Sequence, residues 1–363
     1  MMKRREFLGT SLTALAWTQF PSIAWSLKTQ HQWLLVGRSN RSLAGASLDR
    51  AGTPVPSILE VYDHRFQLLQ TVQIPFIAHS WAQNRKSPHL AYGFSKWGNE
   101  AGIVDLKARR FTALLEREPH KRFFGHGLAL ADGRMLLSMR NDQTKKAELV
   151  FYKDLKPTGT IELGASYAHE IRFAPQDSNL VVAAAGNREK SGQIAWVDVR
   201  EKKIVREMNS GFQLPAHFRF LGADDQKILV LGIANKPAIE IIEGKTAHYL
   251  ESEAPFTAQK GNRPESLNAV LDPQNSKIAW VAVYGGSVYL KVDTTAKKIV
   301  ETVASPGARH AFGSDGRMYL GQISETLADA HARLQTWNSG WKPLDPPAEI
   351  GNSSHVDGIQ PVS

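Results

Sequence analysis

The sequence has 363 residues, of which 42% are hydrophobic and 22% are charged, so the chain can bury a core and is not a disordered protein. Its formal net charge of +9 is spread along the chain without a run of five basic residues, and we therefore expect no nucleic-acid partner. The chain has no cysteine, which excludes disulfides, thiolate metal sites, thiol nucleophiles and covalent c-type haem attachment.

The amino-terminal segment has the three parts of an export signal. Residues 3–8 read Lys-Arg-Arg-Glu-Phe-Leu, residues 9–20 are mildly apolar, and residues 24–26 read Ala-Trp-Ser, which is a small-x-small cleavage site. We predict that residues 1–26 are a twin-arginine signal peptide and that residues 27–363 form a periplasmic protein. An ordinary signal or a membrane anchor is the alternative, although the apolar stretch is short for a bilayer span. We expect no stable membrane insertion of the mature chain.

Beyond this leader, a histidine at the head of an apolar run recurs along the chain. By subtraction, the steps between the seven positions are 47, 43, 48, 51, 42 and 45 residues, and asparagine fills the fifth position. A period in the forties is typical of propeller and solenoid repeats. The seven slots, as we call these positions, are His79, His126, His169, His217, Asn268, His310 and His355.

Two further marks share this period. The third strand-like run of each repeat tends to end in an acidic or amide residue, as at Asp105, Asp198 and Asp293, and we expect this residue to cap the following turn. A tight-turn sequence also recurs, as Ala-Asp-Gly-Arg-Met at residues 131–135 and Ser-Asp-Gly-Arg-Met at residues 314–318. Because no segment sustains a helical apolar period, we predict that each repeat consists of four short strands.

The two chain ends supply complementary numbers of strands. Residues 31–75 hold three strand-like runs, and the end of the chain from residue 355 to 362 supplies one. A closed propeller commonly completes its last blade in this way. We predict an all-β, seven-bladed β-propeller with four-stranded blades, whose last blade is closed by strands from both chain ends. Two domains joined by a linker is the alternative, but no shift in composition supports it.

The slots predict a ring around the propeller axis, because the first strand of each blade lines the central channel. Neutral imidazole is a common ligand of zinc, copper and iron, and three or four imidazoles suffice to hold one ion. The alternative is that each histidine hydrogen-bonds a neighbouring blade and fastens the blades together. The predicted metal ligands are His79, His126, His169, His217, His310 and His355.

Charged residues beside the slots are candidates for holding an anionic group or for tuning the pKa values of the imidazoles. Arg219 lies two residues past His217, so we expect it on the same face and deeper in the channel. Arg309 directly precedes the sixth slot, and we assign both arginines as cofactor-binding. Glu170 directly follows the third slot and should point to the other side of its strand. The alternative for all three residues is ion pairing between blades.

Three segments carry a resemblance to a known family. Residues 122–127 read Arg-Phe-Phe-Gly-His-Gly, residues 168–171 read Ala-His-Glu-Ile, and residues 184–187 read Ala-Ala-Gly-Asn. With them the chain resembles the exported bacterial proteins called "domain of unknown function 1513". The resemblance implies a twin-arginine leader, a seven-bladed propeller, and a link to periplasmic iron-acquisition proteins of the imelysin type as partners. It implies no established activity.

These features together predict a monomeric periplasmic binding protein for iron or copper handling. It would hold a copper, iron or zinc ion, or a metal-bearing ligand, through its axial histidines. The chain has no Gly-x-Ser-x-Gly elbow, phosphate-binding loop or dinucleotide fingerprint, which favours a role without catalysis. Two alternatives stay open: an interaction scaffold whose histidines only fasten blades, and a cation-dependent propeller hydrolase or lactonase.

Overall fold

The computed structural model of the chain describes residues 32–39, 57–63, 66–76, 78–84, 86–96, 98–187, 189–256, 263–314, 317–323, 331–337, 342–343, 348–351 and 356–359. Every regular element in these ranges is a β-strand. No helix that is long and apolar enough to cross a membrane occurs among them. The predicted signal peptide, residues 1–26, and the predicted ligand His355 lie outside the described residues.

The strands form antiparallel meanders of four. One sheet joins β1 (Gln32–Ser39), β2 (Ser57–Tyr62) and β3 (Leu68–Ile74) with β28 (Val356–Ile359). The next sheet contains β4 (Ala78–Gln83), β5 (Leu90–Ser95), β6 (Ala101–Asp105) and β7 (Arg110–Leu114). Two more follow: β8 (Lys121–Ala129), β9 (Met135–Asn141), β10 (Ala147–Lys153) and β11 (Lys156–Glu162), then β12 (Tyr167–Ala174), β13 (Asp177–Gly186), β14 (Gln193–Asp198) and β15 (Lys203–Asn209).

The rest of the chain continues the same pattern. An eight-stranded sheet contains β16 (Leu214–Phe220), β17 (Lys227–Ile233), β18 (Ala238–Glu243), β19 (Thr246–Glu251), β20 (Glu265–Asp272), β21 (Asn275–Tyr284), β22 (Val288–Asp293) and β23 (Lys298–Ala304). The single pair Ile233↔Glu265 joins its two meanders, β16–β19 and β20–β23. The last sheet contains β24 (Ala308–Ser314), β25 (Arg317–Ile323), β26 (His331–Trp337) and β27 (Ala348–Gly351).

The two chain ends meet in one sheet. β1 pairs antiparallel with β28 from Gln32↔Ile359 to Leu35↔Val356, and its other edge pairs with β2. The strands that the sequence assigns to the two ends therefore lie side by side.

The core lies between successive sheets. Val181 belongs to the apolar cluster between the β8–β11 and β12–β15 sheets, whereas its neighbour Val182 belongs to the cluster between β12–β15 and the β16–β19 meander. Side chains alternate along a strand, so an unbroken apolar run such as residues 180–185 serves both faces of one sheet. The outer strand β15 instead alternates exposed and half-buried residues. The β12–β15 sheet is thus covered on both faces, as a blade is within a stack of blades.

Acidic residues cap the turn after the third strand, as the sequence predicts. The carboxylate Oδ1 atoms of Asp105, Asp198 and Asp293 each accept a hydrogen bond of 2.7–2.9 Å from the backbone N–H three residues later. Such side-chain bonds mimic a backbone turn and fix the start of the hairpin. The prediction is confirmed at these three positions.

The innermost strands lie next to each other in chain order. Contacts join β4 to β8, β8 to β12, β12 to β16, β16 to β20, and β20 to β24, and β28 also contacts β4. This succession is the one expected around a propeller axis. The described residues thus form an all-β, propeller-like arrangement, which confirms the fold prediction at this level.

Six inner strands, β4, β8, β12, β16, β20 and β24, break their pairing register at the slot or directly before it. A β-bulge puts an extra residue into one strand and re-aims the local side chains. Because the bulges recur at equivalent positions, they turn the slot side chains together toward the region where the inner strands meet. The shifts lie between Ala78 and Ser80, Phe123 and Gly127, Ala168 and Ile171, Pro215 and His217, Ser266 and Asn268, and Ala308 and His310.

Candidate metal centre

Three slot histidines from successive inner strands converge. His79 on β4, His126 on β8 and His169 on β12 each offer one ring nitrogen, and these nitrogens all lie within 4.8 Å of one another. Their ring centroids are 4.7–5.3 Å apart. All three side chains are buried, with exposures of 9% or less. The repeat therefore brings together residues that are up to 90 positions apart in the chain.

A backbone carbonyl fixes the tautomer of His169. Its Nδ1 lies 3.0 Å from the carbonyl oxygen of Phe124. A carbonyl only accepts, so Nδ1 carries the proton, and in the neutral ring Nε2 keeps its lone pair. Metal-binding histidines are commonly oriented by such a bond from the other ring nitrogen. His169 Nε2 is thus prepared to act as a ligand.

The spacing of the two nearest nitrogens suits a single ion. His169 Nε2 lies 3.3 Å from His79 Nε2. Two nitrogens bound at about 2.0–2.1 Å in tetrahedral geometry lie roughly 3.3–3.4 Å apart. His126 completes the three-imidazole group. The donor set therefore suits a transition-metal ion, and one pair of nitrogens already has the spacing of two ligands of one ion.

Gly125 gives the histidines the room to meet. Its φ is +110°, a backbone conformation that residues with a Cβ rarely adopt. A Cβ at this position would lie 2.6 Å from Cδ2 of His79 and 3.2 Å from Cε1 of His169. Ser80 donates a hydrogen bond to the Gly125 carbonyl and holds this backbone against β4. The sequence contains a signal for this role of Gly125, because among the seven slots only His126 is directly preceded by glycine.

His217 on β16 extends the cluster by one strand. Its ring centroid lies 4.8 Å from that of His169 and 5.7 Å from that of His126. Burial lowers the pKa of His217 and lowers the pKa of His126 well below its ordinary value. Both rings are therefore neutral at pH 7, and the neutral ring is the form that binds metals.

Glu170 sits beside this cluster at the centre of a buried ionic network. It accepts hydrogen bonds from Arg172 Nε at 2.7 Å, from the Phe218 backbone N–H at 2.8 Å and from Arg219 Nη1 at 3.0 Å. Its Oε2 also lies 3.5 Å from His217 Nδ1. Burial alone would raise the pKa of Glu170, but Arg172, Arg219 and His217 hold it well below its ordinary value.

The directions of His169 and Glu170 agree with the predicted alternation. His169 bonds the carbonyl of Phe124 on β8, whereas Glu170 reaches Phe218 and Arg219 on β16. These two adjacent residues of β12 therefore contact the inner strands on its two sides, β8 and β16. Glu170 thus pairs with the strand that carries the next slot, which is the ion pairing between blades that the sequence analysis gave as the alternative.

The two predicted cofactor-binding arginines lie in different surroundings. Arg219 donates from Nη1 to Glu170 and from Nη2 to Asn268 Oδ1 at 3.0 Å, so it makes the inter-blade contacts that were the alternative to anion binding. The guanidinium of Arg309 lies 4.8 Å from the ring centroid of Tyr284. The cofactor-binding role of both arginines stays a prediction.

The remaining predicted ligand among the described residues, His310, lies on β24, the inner strand that follows β20 with Asn268. Its side chain is buried, and its carbonyl accepts a hydrogen bond of 3.3 Å from Tyr289 Oη. Asn268 Nδ2 donates to the carbonyl of the preceding residue, Arg309, at 3.4 Å. The structure thus assembles His79, His126, His169 and His217 and places His310 further round the ring.

Lys96 is a member of the site that the repeat pattern did not reveal. It follows β5, and its backbone forms a bridge with that of Phe124. Its Nζ lies 3.4 Å from His169 Nε2, the nitrogen that keeps the lone pair. Burial lowers the pKa of Lys96. Since Lys96 occupies no slot, no periodic signal could identify it.

Comparison with known sequences supports the family resemblance. Residues 72–210 match the family described as "Protein of unknown function (DUF1513)". This segment contains His79, His126 and His169, and it includes the three segments on which the resemblance rests. The predicted resemblance is confirmed there. No protein of curated function matches the chain.

Solved structures support the fold. Hydrazine synthase of Kuenenia stuttgartiensis has a TM-score of 0.58 at 12% identity, covering 80% of this chain and 94% of that chain. The β-propeller domain of Cps50 (Swd1) from Myceliophteria thermophila has a TM-score of 0.56 at 11% identity, covering 86% and 98%. The dihydro-heme d1 dehydrogenase NirN in complex with DHE has a TM-score of 0.55 at 12% identity, covering 90% and 68%. At such identities these likenesses show the fold alone.

Proposed function

We propose that this protein is a periplasmic binding protein that holds one transition-metal ion, or a metal-bearing ligand, through His79, His126 and His169. The observation that carries the proposal is the 3.3 Å spacing of two ring nitrogens within a buried group of three imidazoles. Copper, iron and zinc all suit imidazole ligands. The proposed role is in iron or copper handling, with periplasmic iron-acquisition proteins as partners.

The two alternatives fit the site less well. The fastening role fits one side of the ring, where Arg219 donates hydrogen bonds to Glu170 and Asn268 on the neighbouring strands. It also covers the bond from His169 to the Phe124 carbonyl and the contact between His79 and His169, whereas the metal proposal accounts in addition for three ring nitrogens that lie within 4.8 Å of one another. A cation-dependent hydrolase would be expected to carry carboxylates among its channel residues, and the carboxylate beside the cluster, Glu170, is engaged by three donors.

Replacing His169 tests the metal proposal. His169→Gln removes the central imidazole, and we expect the affinity for copper, iron or zinc to fall by more than about 100-fold, since even losses of outer partners cost 10–100-fold. Binding is measured by metal analysis and calorimetry on protein that was exported and purified without an affinity tag. The matched control is His248→Gln, because His248 lies outside the cluster and contacts Lys297 Nζ at 3.2 Å. Equal metal content in both variants would refute the assignment.

We propose further that the propeller has seven four-stranded blades, the last of them shared between the chain ends. The eight-stranded sheet supports this number because it holds two meanders joined by one residue pair. The pairing of β1 with β28 supports closure between the two ends. The periplasmic location rests on the leader at residues 1–26, and cell fractionation tests it.

Shortening the chain tests the closure. Deleting residues 355–363 removes β28 and leaves one edge of β1 without its partner. We expect the midpoint of thermal unfolding to fall by about 2 °C or more, because the loss of several backbone hydrogen bonds costs more than about 1 kcal/mol. The control deletion of residues 360–363 keeps β28. If both truncated proteins unfold at the same temperature, β28 does not close the ring.

A further inference from the structure

The bulge at the second slot is larger than those at the other described slots. Four chain steps of β8, from Phe123 to Gly127, run beside two steps of β9, so residues 124–126 lie opposite the single residue Ser138. At the other five described slots the inner strand gains one residue on its partner. Because buried backbone N–H and C=O groups are almost always paired, the groups that this bulge removes from the ladder need other partners.

The neighbouring blades supply partners for the first two residues of the bulge. Phe124 forms a backbone bridge with Lys96, and its carbonyl accepts a hydrogen bond from His169 Nδ1. The carbonyl of Gly125 accepts a hydrogen bond from Ser80. Lys96 and Ser80 belong to the β4–β7 sheet and His169 to the β12–β15 sheet. The bulge is therefore held from both of its sides.

The hydroxyl of Ser138 is the partner of the third residue, His126. It donates a hydrogen bond of 3.0 Å to the His126 carbonyl and accepts one of 3.3 Å from the His126 N–H. A hydroxyl carries one donor and two acceptor lone pairs, so it can make both bonds at once. In a regular antiparallel pair the opposite residue makes the same exchange with its own N–H and C=O. The Ser138 side chain thus replaces a backbone partner, in a position that is 1% exposed.

We propose that Ser138 is a positioning residue of the metal centre, which fixes the backbone of His126 and thereby the direction in which its imidazole enters the site. The inference rests on the proposed function and deepens it by naming the residue that holds one ligand in place. The ring of His126 lies almost perpendicular to those of His79 and His169, at 87° and 89°. Metal affinity depends on outer partners that orient the ligands, and Ser138 is such a partner.

The neighbouring ligand, His169, is fixed in a different way. The register of β12 and β13 places Ala184 opposite His169 and Glu170, and alanine has no hydroxyl. His169 is instead oriented through its ring, by the bond from Nδ1 to the Phe124 carbonyl. A change at Ser138 should therefore act on His126 first.

The experiment measures Co²⁺ binding by Ser138→Ala with calorimetry and the visible spectrum, which reports the geometry of the ligands. We expect the affinity to fall by about 10–100-fold and the spectrum to change. The matched control is Ser266→Ala. Ser266 is also 1% exposed and donates to the Ala238 carbonyl, but it lies on β20, whose slot holds Asn268. Both variants should unfold at lower urea concentration than the wild-type protein, and only Ser138→Ala should differ from it in affinity and spectrum.

Two results would overturn the proposal. One is a Ser138→Ala variant that binds Co²⁺ with the affinity and spectrum of the wild-type protein. The other is an equal loss of affinity in Ser138→Ala and Ser266→Ala, which would trace the effect to general destabilisation.

Ser138→Thr tests whether the hydroxyl itself is responsible. It keeps the hydroxyl and adds a methyl group, so the folded variant should show the wild-type Co²⁺ spectrum even where the methyl group lowers stability. A folded Ser138→Thr with the spectrum of Ser138→Ala would contradict the proposal. If circular dichroism shows that Ser138→Thr is unfolded, the comparison of Ser138→Ala with Ser266→Ala decides.

The metal-free protein separates this inference from the proposed function. If Co²⁺ fails to bind the wild-type protein, the proposed metal centre is wrong, and the orientation of His126 is then judged by ¹⁵N NMR of its imidazole. The His126 signals should shift or broaden in Ser138→Ala and stay unchanged in Ser266→Ala. Unchanged His126 signals in Ser138→Ala would show that Ser138 does not position the ring.

Discussion

Gly125→Ala should abolish metal binding and destabilise the protein, although it adds a single methyl group. The φ of +110° alone costs a residue with a Cβ about 1–2 kcal/mol. The added carbon would also lie 2.6 Å from Cδ2 of His79, so the imidazole or the β8 backbone has to shift. Because β8 also supplies His126 and the carbonyl that orients His169, either shift disturbs all three ligands. We expect the free energy of unfolding to fall by about 3 kcal/mol or more, measured by urea unfolding.

A second glycine provides the matched control. Gly133 also has a positive φ, of +91°, but a Cβ there meets no atom within 4 Å. Gly133→Ala should therefore show the backbone cost without the collision, and it should bind metal like the wild-type protein. If the two variants have the same stability and metal affinity, the close approach of Gly125 to the histidine rings does not matter.

The repeats made the propeller-like fold predictable, because equivalent positions recur where the blades repeat. The same symmetry brought His79, His126 and His169 together, residues that no local pattern connects. The sequence was a weaker guide to where each side chain points within one repeat. Periodicity shows that a side chain is on an inner strand, but the bulge that aims it depends on pairing with the next strand. A pattern in the chain cannot display that pairing.

Site residues that do not recur in the repeats could not be predicted from the sequence for a different reason. Lys96 occupies no slot and therefore produces no recurring signal, whereas Gly125 is visible only as the one glycine that directly precedes a slot. Glu170 was seen beside the third slot, but its bonds to β16 depend on how two blades pack. What the sequence specified was therefore the shared architecture of the ring. The features that make one side of the ring a candidate metal site are individual residues, and they became visible only in three dimensions.

Glu170→Gln should be the most destabilising change in the ionic network. The carboxylate is 2% exposed and accepts from Arg172, Arg219 and the Phe218 N–H. An amide keeps the shape but removes the negative charge, and its NH₂ group is a donor facing other donors. Removing one partner of a buried ion pair typically costs about 3–5 kcal/mol because the other charge is left uncompensated. We expect a loss of this size in urea unfolding at pH 7.

The control is an ion pair of the same type at the surface. Glu162 pairs with Lys146, and both side chains are about half exposed, at 48% and 51%. Glu162→Gln should cost about 0–1 kcal/mol, since exposed pairs are screened by water. If Glu170→Gln costs no more than Glu162→Gln, the network does not hold the blades together.

The pH dependence of the unfolding free energy gives a second test of the role of the Glu170 charge. Because the arginines hold the pKa of Glu170 well below its ordinary value of 4.5, the folded protein keeps the carboxylate ionised where the unfolded chain already binds a proton. The contribution to stability is thus fully present above pH 4.5 and is lost as the pH falls toward the lower pKa of the folded state. The difference in unfolding free energy between the wild-type protein and Glu170→Gln should shrink as the pH is lowered below 4.5. A difference that stays constant down to acid unfolding would mean that Glu170 stabilises the blades by its shape and not by its charge.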